Sequence, residues 1–294
     1  TGLKYAFATV PTGANYCLIT TRYVKSDGTI LNPSWTVHKN KFSNSYDKGV
    51  LKNVELNGVE FYTDEKPYLL SKYDGKKVYC FGDSITQGGR DGSWVPYLTQ
   101  KLGCIVSNQG SGGGWASRVV DIMTYGYGLP RRDGNTNWGK KDYTDAAAIT
   151  IQIGTNDYIS GSKADIPTGN VTDYANELDY WALFPNNYYA NICLAIEFIR
   201  SKNKMCDIYL ISIPYHRTDA THTETYKQET VDIMREIANY YSVQFINARQ
   251  ESGLGWKYMT TDDKWYSYDG THLNSAGNKK WGEYIAKRML DTTH

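Results

Sequence analysis

The stretch "KKVYCFGDSITQGG", residues 76 to 89, decides how this sequence can fold. It begins with a short apolar run of the kind that is buried on both faces of a parallel sheet. Gly82 ends the run, and the polar Asp83 and Ser84 follow at once. Since glycine allows a sharp turn, we expect Ser84 to lie at the carboxyl end of a strand, where open parallel sheets bind their ligands.

Four further apolar runs have the same character. They are "CIVSN" (104–108), "AAAITIQI" (146–153), "DIYLISI" (207–213) and "SVQFIN" (242–247). Apolar residues at helical spacing fill the intervals, for example over 186–203, and they recur after the last run, over 275–290. Strands that alternate with helices predict a three-layer α/β/α sandwich with a mainly parallel, flavodoxin-like sheet over residues 76–294.

The first 75 residues have a different pattern, in which short strand-like runs are separated by turn residues. "YCLITTRYV" (16–24) is followed by Ser26-Asp27-Gly28, and Asn57-Gly58 separates "LKNVEL" from "VEFYT". Asn-Gly supplies the two positive-φ residues that a tight hairpin turn requires. The sequence therefore predicts a smaller all-β, sandwich-like module over 1–75 before the α/β domain.

Composition excludes several classes of function. Lys and Arg number 32 against 31 Asp and Glu, so no global field favours nucleic acid or an anionic membrane surface. No apolar run approaches the about 20 residues needed to span a bilayer, and the start lacks a leader pattern. The five scattered cysteines contain no Cys-x-x-Cys pair and indicate buried thiols rather than a zinc site. We expect no nucleic-acid or membrane partner, and the start at Thr1 suggests a fragment or processed form.

A serine hydroxyl needs a base to become a nucleophile, and the base needs a group that holds its tautomer. Asp269 and His272 lie three residues apart between the last strand and the final helix, at the same predicted sheet edge as Ser84. An Asp-x-x-His pair is also compatible with a capping aspartate and a surface histidine. Possible donors for a developing oxyanion are the glycine run 110–114 and the amide of Asn156, each after a strand.

Four blocks carry a family resemblance: "GDSITQG" (82–88), "NQGSGG" (108–113), "GTND" (154–157) and "DGTH" (269–272). Together they make the α/β part resemble the SGNH, or GDSL-type, hydrolase superfamily. The resemblance implies the following roles: Ser84 as nucleophile and first oxyanion donor, Gly113 and Asn156 as further donors, His272 as general base and Asp269 as its orienting partner. Gly110, Gly112 and Gly114 crowd the same loop. The Gly-x-Ser-x-Gly pentapeptide of α/β-hydrolases does not occur in the sequence.

The same resemblance implies ester hydrolysis without a cofactor, often the removal of acetyl groups from carbohydrates. Segments 124–145 and 158–189 mix Tyr and Trp with polar residues, which favours sugar substrates over long acyl chains. We expect substrate contacts from four residues at the predicted cleft, namely Asp83, Trp115, Asp157 and His216, and no metal site. A lysophospholipase-type lipid esterase and a non-catalytic glycan- or receptor-binding module are the alternatives.

Residues 7–24, "FATVPTGANYCLITTRYV", resemble β-rich segments that accompany such hydrolases in Gram-positive bacterial surface proteins and in phage tail proteins. That resemblance implies an extracellular, cell-surface or virion-associated location. It also implies an assembly partner, or glycan, docked through the β-rich module.

Overall fold

A computed structural model gives the structure of the chain. It describes residues 23–24, 30–31, 71–134, 138–157, 165–167, 177–217, 223–260 and 265–291. The chain divides into two compact units, residues 1–69 and 70–294. The division falls a few residues before the boundary expected from the change of sequence pattern.

In the first unit, strand β1 (Tyr23–Val24) pairs antiparallel with β2 (Ile30–Leu31). The two strands flank the turn predicted at Ser26-Asp27-Gly28. The hairpin predicted around Asn57-Gly58 lies outside the described residues, so the all-β module stays a prediction.

The second unit is built on a parallel sheet of five strands: β3 (Lys77–Gly82), β4 (Ile105–Gly110), β5 (Ala146–Gln152), β6 (Asp207–Ile211) and β7 (Gln244–Ile246). Their spatial order is β4-β3-β5-β6-β7, and every neighbouring pair is parallel. This is the flavodoxin-like doubly wound order, in which the chain first adds a strand on one side of β3 and then continues on the other. The predicted fold class is confirmed.

The helices of the described residues lie between and after these strands: α1 (Ser84–Gln87), α2 (Pro96–Leu102), α3 (Ala116–Thr124), α4 (Glu177–Ala182), α5 (Tyr188–Lys202), α6 (Glu224–Tyr241), α7 (Ala248–Glu251), α8 (Trp256–Thr260) and α9 (Ser275–Asp291). Helix α5 begins where the Asn187 side chain accepts a hydrogen bond from the Ala190 N–H. Among the helices described, none combines the length and apolarity that a bilayer crossing demands.

Two apolar cores lie on opposite faces of the sheet. Along β3, Val78 and Cys80 face one core, which α2 and α9 cover, while Tyr79 and Phe81 face the other, covered by α3, α5 and α6. This alternation follows from the two-residue period of a strand and produces the three layers. Four of the cysteines are free and buried in these cores, Cys80, Cys104, Cys193 and Cys206, and Cys17 lies outside the described residues.

Strand β4 departs from the predicted burial on both faces. Ile105 is 58% exposed, and none of the residues of β4 is fully buried. Among the strands that the structure describes, β4 occupies the edge of the sheet and has β3 as its one neighbour. Strand order is a tertiary property that an apolar run of five residues does not encode.

The strand register brings the functional segments to one edge. Gly82, at the end of β3, pairs with Gly110 at the end of β4 and with Gln152 at the end of β5. The loops that follow these three strands therefore begin side by side.

Candidate active site

Position 82, at the end of strand β3, has room only for glycine. A Cβ atom at this position would lie 2.3 Å from Thr86 Oγ1 and 2.4 Å from the Gln152 carbonyl oxygen. The backbone of Gly82 is not in the left-handed region. The need for glycine is thus one of close packing between β3, β5 and α1, not of the sharp turn that the sequence suggested.

Asp83 fixes the turn that presents the serine. Its side chain is fully buried, and Oδ1 accepts a hydrogen bond of 2.9 Å from the Ile85 N–H, which caps helix α1. Burial raises the pKa of this carboxyl. A side chain with no exposed surface supports the turn from inside, and the expected contact between Asp83 and substrate stays a prediction.

Ser84, His272 and Asp269 form one connected chain of hydrogen bonds. Ser84 Oγ lies 2.9 Å from His272 Nε2, and His272 Nδ1 lies 2.7 Å from Asp269 Oδ2. An ionised Asp269 can only accept, so Nδ1 carries the proton and the Nε2 lone pair faces the serine hydroxyl. This is the tautomer in which a histidine can remove the serine proton.

The carboxylate of Asp269 also shapes the segment that carries the histidine. Oδ1 accepts hydrogen bonds from the Thr271 N–H at 2.9 Å and from the His272 N–H at 2.7 Å. Partial burial by itself would raise the pKa of Asp269, but the hydrogen bonds from the His272 ring and from the two backbone N–H groups outweigh it and lower the pKa. Asp269 therefore stays charged, which favours the imidazolium that forms during proton transfer.

The segment around Asp269 is a tight hairpin. The Tyr268 N–H donates to the His272 carbonyl at 3.2 Å, and the Asn274 N–H donates to the Tyr266 carbonyl at 3.0 Å. The Tyr268 ring stacks on the His272 imidazole with centroids 5.7 Å apart, and the Arg90 guanidinium lies 4.4 Å from the Tyr268 centroid. The sequence reasoning missed both contacts, although an aromatic residue directly before Asp269 was a usable signal.

In the glycine run 110–114, two backbone N–H groups donate hydrogen bonds within the protein. The Gly114 N–H donates to the Ser111 carbonyl, and the Gly110 N–H donates to Asn108 Oδ1, both at 2.9 Å. Gly113 is exposed and has a φ of 64°, and a Cβ there would meet nothing within 4 Å. Gly112 and Gly113 are therefore the glycines whose N–H groups can reach a ligand.

Asn156 and Asp157 clamp the end of the same loop. Asn156 Nδ2 donates to the Gly114 carbonyl at 3.0 Å, and Asp157 Oδ1 accepts from the Ala116 N–H at 2.7 Å. An amide nitrogen carries two N–H donors, so Asn156 keeps one for a ligand. The Ser84 N–H, at the start of α1, has no acceptor within its helix.

Asp157 is 4% exposed and His216 is 3% exposed. Burial raises the pKa of Asp157 to about 7, an effect that the Ala116 hydrogen bond opposes and the nearby Asp83 charge increases. Both side chains lie almost entirely inside the protein, and the expected contacts of Asp157 and His216 with substrate stay predictions. Trp115 is 44% exposed directly before α3, and its contact with substrate stays a prediction.

Within the described ranges, no group of three His, Cys, Asp or Glu side chains could hold a metal ion. What the edge of the sheet does bring together is a serine, a base, an orienting carboxylate and N–H donors. These are the groups that acyl transfer requires, in which a nucleophile, a base and oxyanion donors surround one reacting carbon.

Comparisons with known proteins identify the family of the chain. The profile of the GDSL-like lipase/acylhydrolase family matches residues 80–280. A GDSL esterase/lipase of Arabidopsis thaliana is 24% identical over 232 residues, which cover 74% of this chain and 86% of the relative.

Solved structures share the fold. A protein from Lactobacillus plantarum superposes with a TM-score of 0.53 at 17% identity, over 75% of this chain and 99% of its own. A structure from Chitinophaga pinensis gives 0.51 at 16%, over 74% and 99%. On the strength of the profile match, which spans more than half of the sequence, the chain belongs to the GDSL-like lipase/acylhydrolase family.

Proposed function

We propose that this protein is a serine esterase that hydrolyses short acyl esters, acetyl esters above all, on carbohydrates. In the first step Ser84 Oγ attacks the ester carbonyl carbon while His272 Nε2 takes the hydroxyl proton. The carbonyl oxygen becomes an oxyanion, which accepts hydrogen bonds from the Ser84 N–H, the Gly113 N–H and Asn156 Nδ2. The bond to the sugar oxygen then breaks, and His272 returns the proton to that oxygen.

The second half of the reaction repeats the first with water. His272 takes a proton from a water molecule, whose oxygen attacks the acyl carbon on Ser84. The bond to Ser84 Oγ breaks, the serine regains its proton from His272, and the carboxylic acid leaves. Asp269 stays ionised and holds the imidazole throughout.

The carbohydrate part of the proposal is supported by the side chains near the loop ends. Trp115 exposes its indole beside the glycine loop. Of the exposed apolar side chains that are not aromatic, Ile105 and Met205 lie near the amino ends of β4 and β6, at the opposite edge of the sheet, and Leu183 directly follows α4. A surface of aromatic and polar groups suits a sugar ring better than a long acyl chain, which needs an apolar funnel.

An extracellular, cell-surface or virion-associated location, with docking through residues 1–75, completes the proposal. Its support is the resemblance of residues 7–24 to modules of surface and tail proteins.

The observation that carries the proposal is the 2.9 Å approach of Ser84 Oγ to His272 Nε2. The test compares hydrolysis of p-nitrophenyl acetate, butyrate and octanoate by the wild type, by Ser84→Ala and by the surface control Ser201→Ala. Acetate release from acetylated polysaccharides is measured in parallel.

Activity that needs Ser84, falls steeply beyond short chains and releases acetate from polysaccharide would support the proposal. Activity that rises with chain length would indicate a lipid esterase instead. If the folded wild type cleaves no ester, the result would favour a non-catalytic binding module on the same fold.

A further inference from the structure

A fully buried lysine lies behind the catalytic hairpin. Lys227, on helix α6, has no exposed surface, and its Nζ donates to the carbonyl oxygen of His216 and, at 2.8 Å, to that of Arg217. Removing an ammonium group from water is costly unless hydrogen bonds replace the lost hydration. The proposed esterase steps do not use this charge, whereas two of its partners are backbone carbonyl groups close to the catalytic hairpin.

That backbone contacts the catalytic hairpin directly. The Arg217 N–H donates to the Gly270 carbonyl at 2.7 Å, and the Gly270 N–H donates to Ser267 Oγ at 3.1 Å. Gly270 sits between Asp269 and His272 and has a φ of 91°. Both backbone groups of this one residue are therefore fixed by partners, one of which belongs to the segment that Lys227 holds.

A second buried cation supports the same segment. The Arg249 side chain is fully buried, donates to the Pro214 carbonyl at 2.9 Å and pairs with Glu224. Lys227 and Arg249 thus bind three carbonyl oxygens within residues 214–217. These hydrogen bonds are charge-assisted and therefore stronger than neutral ones, and they stabilise the segment that contacts Gly270.

We propose that Lys227 is a positioning residue for catalysis: through the backbone of residues 216–217 and Gly270, it holds His272 Nε2 against Ser84 Oγ. The inference rests on the proposed role of His272 as general base. A base must stay within about 2.6 to 3.2 Å of the proton it removes. A misplacement of about 1 Å costs on the order of 10²-fold in rate, even when the change is made away from the reacting atoms.

The test replaces Lys227 by Met, which keeps much of the volume and removes the donors. We expect kcat for p-nitrophenyl acetate to fall about 10²-fold with KM within about twofold, because Lys227 touches no substrate. Lys227→Arg should recover part of kcat. The low-field proton NMR signal of the His272 Nδ1–H, which reports the bond to Asp269 without any turnover, should broaden or move in Lys227→Met.

Asn203→Leu is the matched control. The Asn203 side chain also donates to backbone carbonyls, those of Tyr143, Thr144 and Ala146, but at the amino end of β5, away from the site. This variant should lose thermal stability with kcat and the low-field signal unchanged.

A folded Lys227→Met protein with wild-type kcat and an unchanged low-field signal would overturn the inference. If that variant does not fold, Lys227→Gln, which keeps a neutral donor near the two carbonyls, is measured in the same way and judged by the same two readouts. A wild type without esterase activity would contradict the proposed function but not this inference, because the NMR signal would still test whether Lys227 positions His272.

Discussion

His272 Nε2 lies 2.9 Å from Ser84 Oγ, although 188 positions separate the two residues along the chain. Ser84 is placed by the end of β3 and the Asp83 cap, whereas His272 is placed by a hairpin before α9. In the proposed mechanism a proton passes from Ser84 to His272, so each side chain needs the other.

Loss of either side chain should therefore cost nearly as much as loss of both. We expect Ser84→Ala and His272→Ala each to lower kcat by at least about 10⁴-fold, and the double variant to be no slower than Ser84→Ala. Single-turnover kinetics with p-nitrophenyl acetate measure all three. Independent, multiplicative losses would show that the residues do not act as a unit.

Asn156→Ala should lower kcat by about 10²- to 10³-fold with little change in KM, because an oxyanion donor is used only when charge develops on the carbonyl oxygen. The control is Asn191→Ala, a buried asparagine on α5 whose amide donates within its own helix region. That change should cost stability without lowering kcat. Equal kcat losses in the two variants would speak against an oxyanion role for Asn156.

Most of the fold of the α/β part could be predicted from the sequence, because the apolar runs are short, separate and followed by helical patterns. Each of β3 to β7 overlaps a run that predicted it, although β4 continues two residues beyond its run, to Gly110. The partial exposure of β4 was not predictable, since position at the sheet edge depends on strand order.

Residues of the candidate site could be proposed from the sequence where the chemistry fixes the residue type, and less so where the direction of a side chain matters. Asp83 and Asp157 were expected to contact substrate, yet both turn inward and accept hydrogen bonds from backbone N–H groups. Lys227 gave no sequence signal at all. A lysine in an amphipathic helix indicates a solvated face, and only the tertiary contacts show that this one is buried.

Asp157 should make folding stability fall as the solution becomes less acidic. Its pKa is raised from 3.8 to about 7 in the folded protein. Between these values the folded state holds a proton that the unfolded state has lost. The free energy of unfolding therefore decreases as pH rises from about 4 to about 7, by up to about 1.4 kcal/mol per unit.

Chemical denaturation across this range should show a shallower slope for Asp157→Asn, which cannot titrate, than for the wild type. The exposed control Asp291→Asn should keep the wild-type slope. An Asp157→Asn slope equal to that of the wild type would mean that Asp157 is ionised throughout.

Gly110, which ends β4, and Gly113, in the loop that follows, should respond very differently to the same substitution. In Gly113→Ala the new Cβ meets nothing within 4 Å, so the cost is the left-handed φ of 64°, about 1 to 2 kcal/mol, and the N–H donor remains. In Gly110→Ala the Cβ would lie 2.0 Å from the Gln87 backbone nitrogen, at the end of the helix that begins with Ser84. Relief of that clash requires α1 to move, which should cost about 3 kcal/mol or more and displace the nucleophile. Denaturation and p-nitrophenyl acetate assays should find Gly113→Ala folded, with activity within about tenfold of the wild type. Gly110→Ala should be unstable and nearly inactive. A fully active Gly110→Ala would contradict the close packing of α1 against β4.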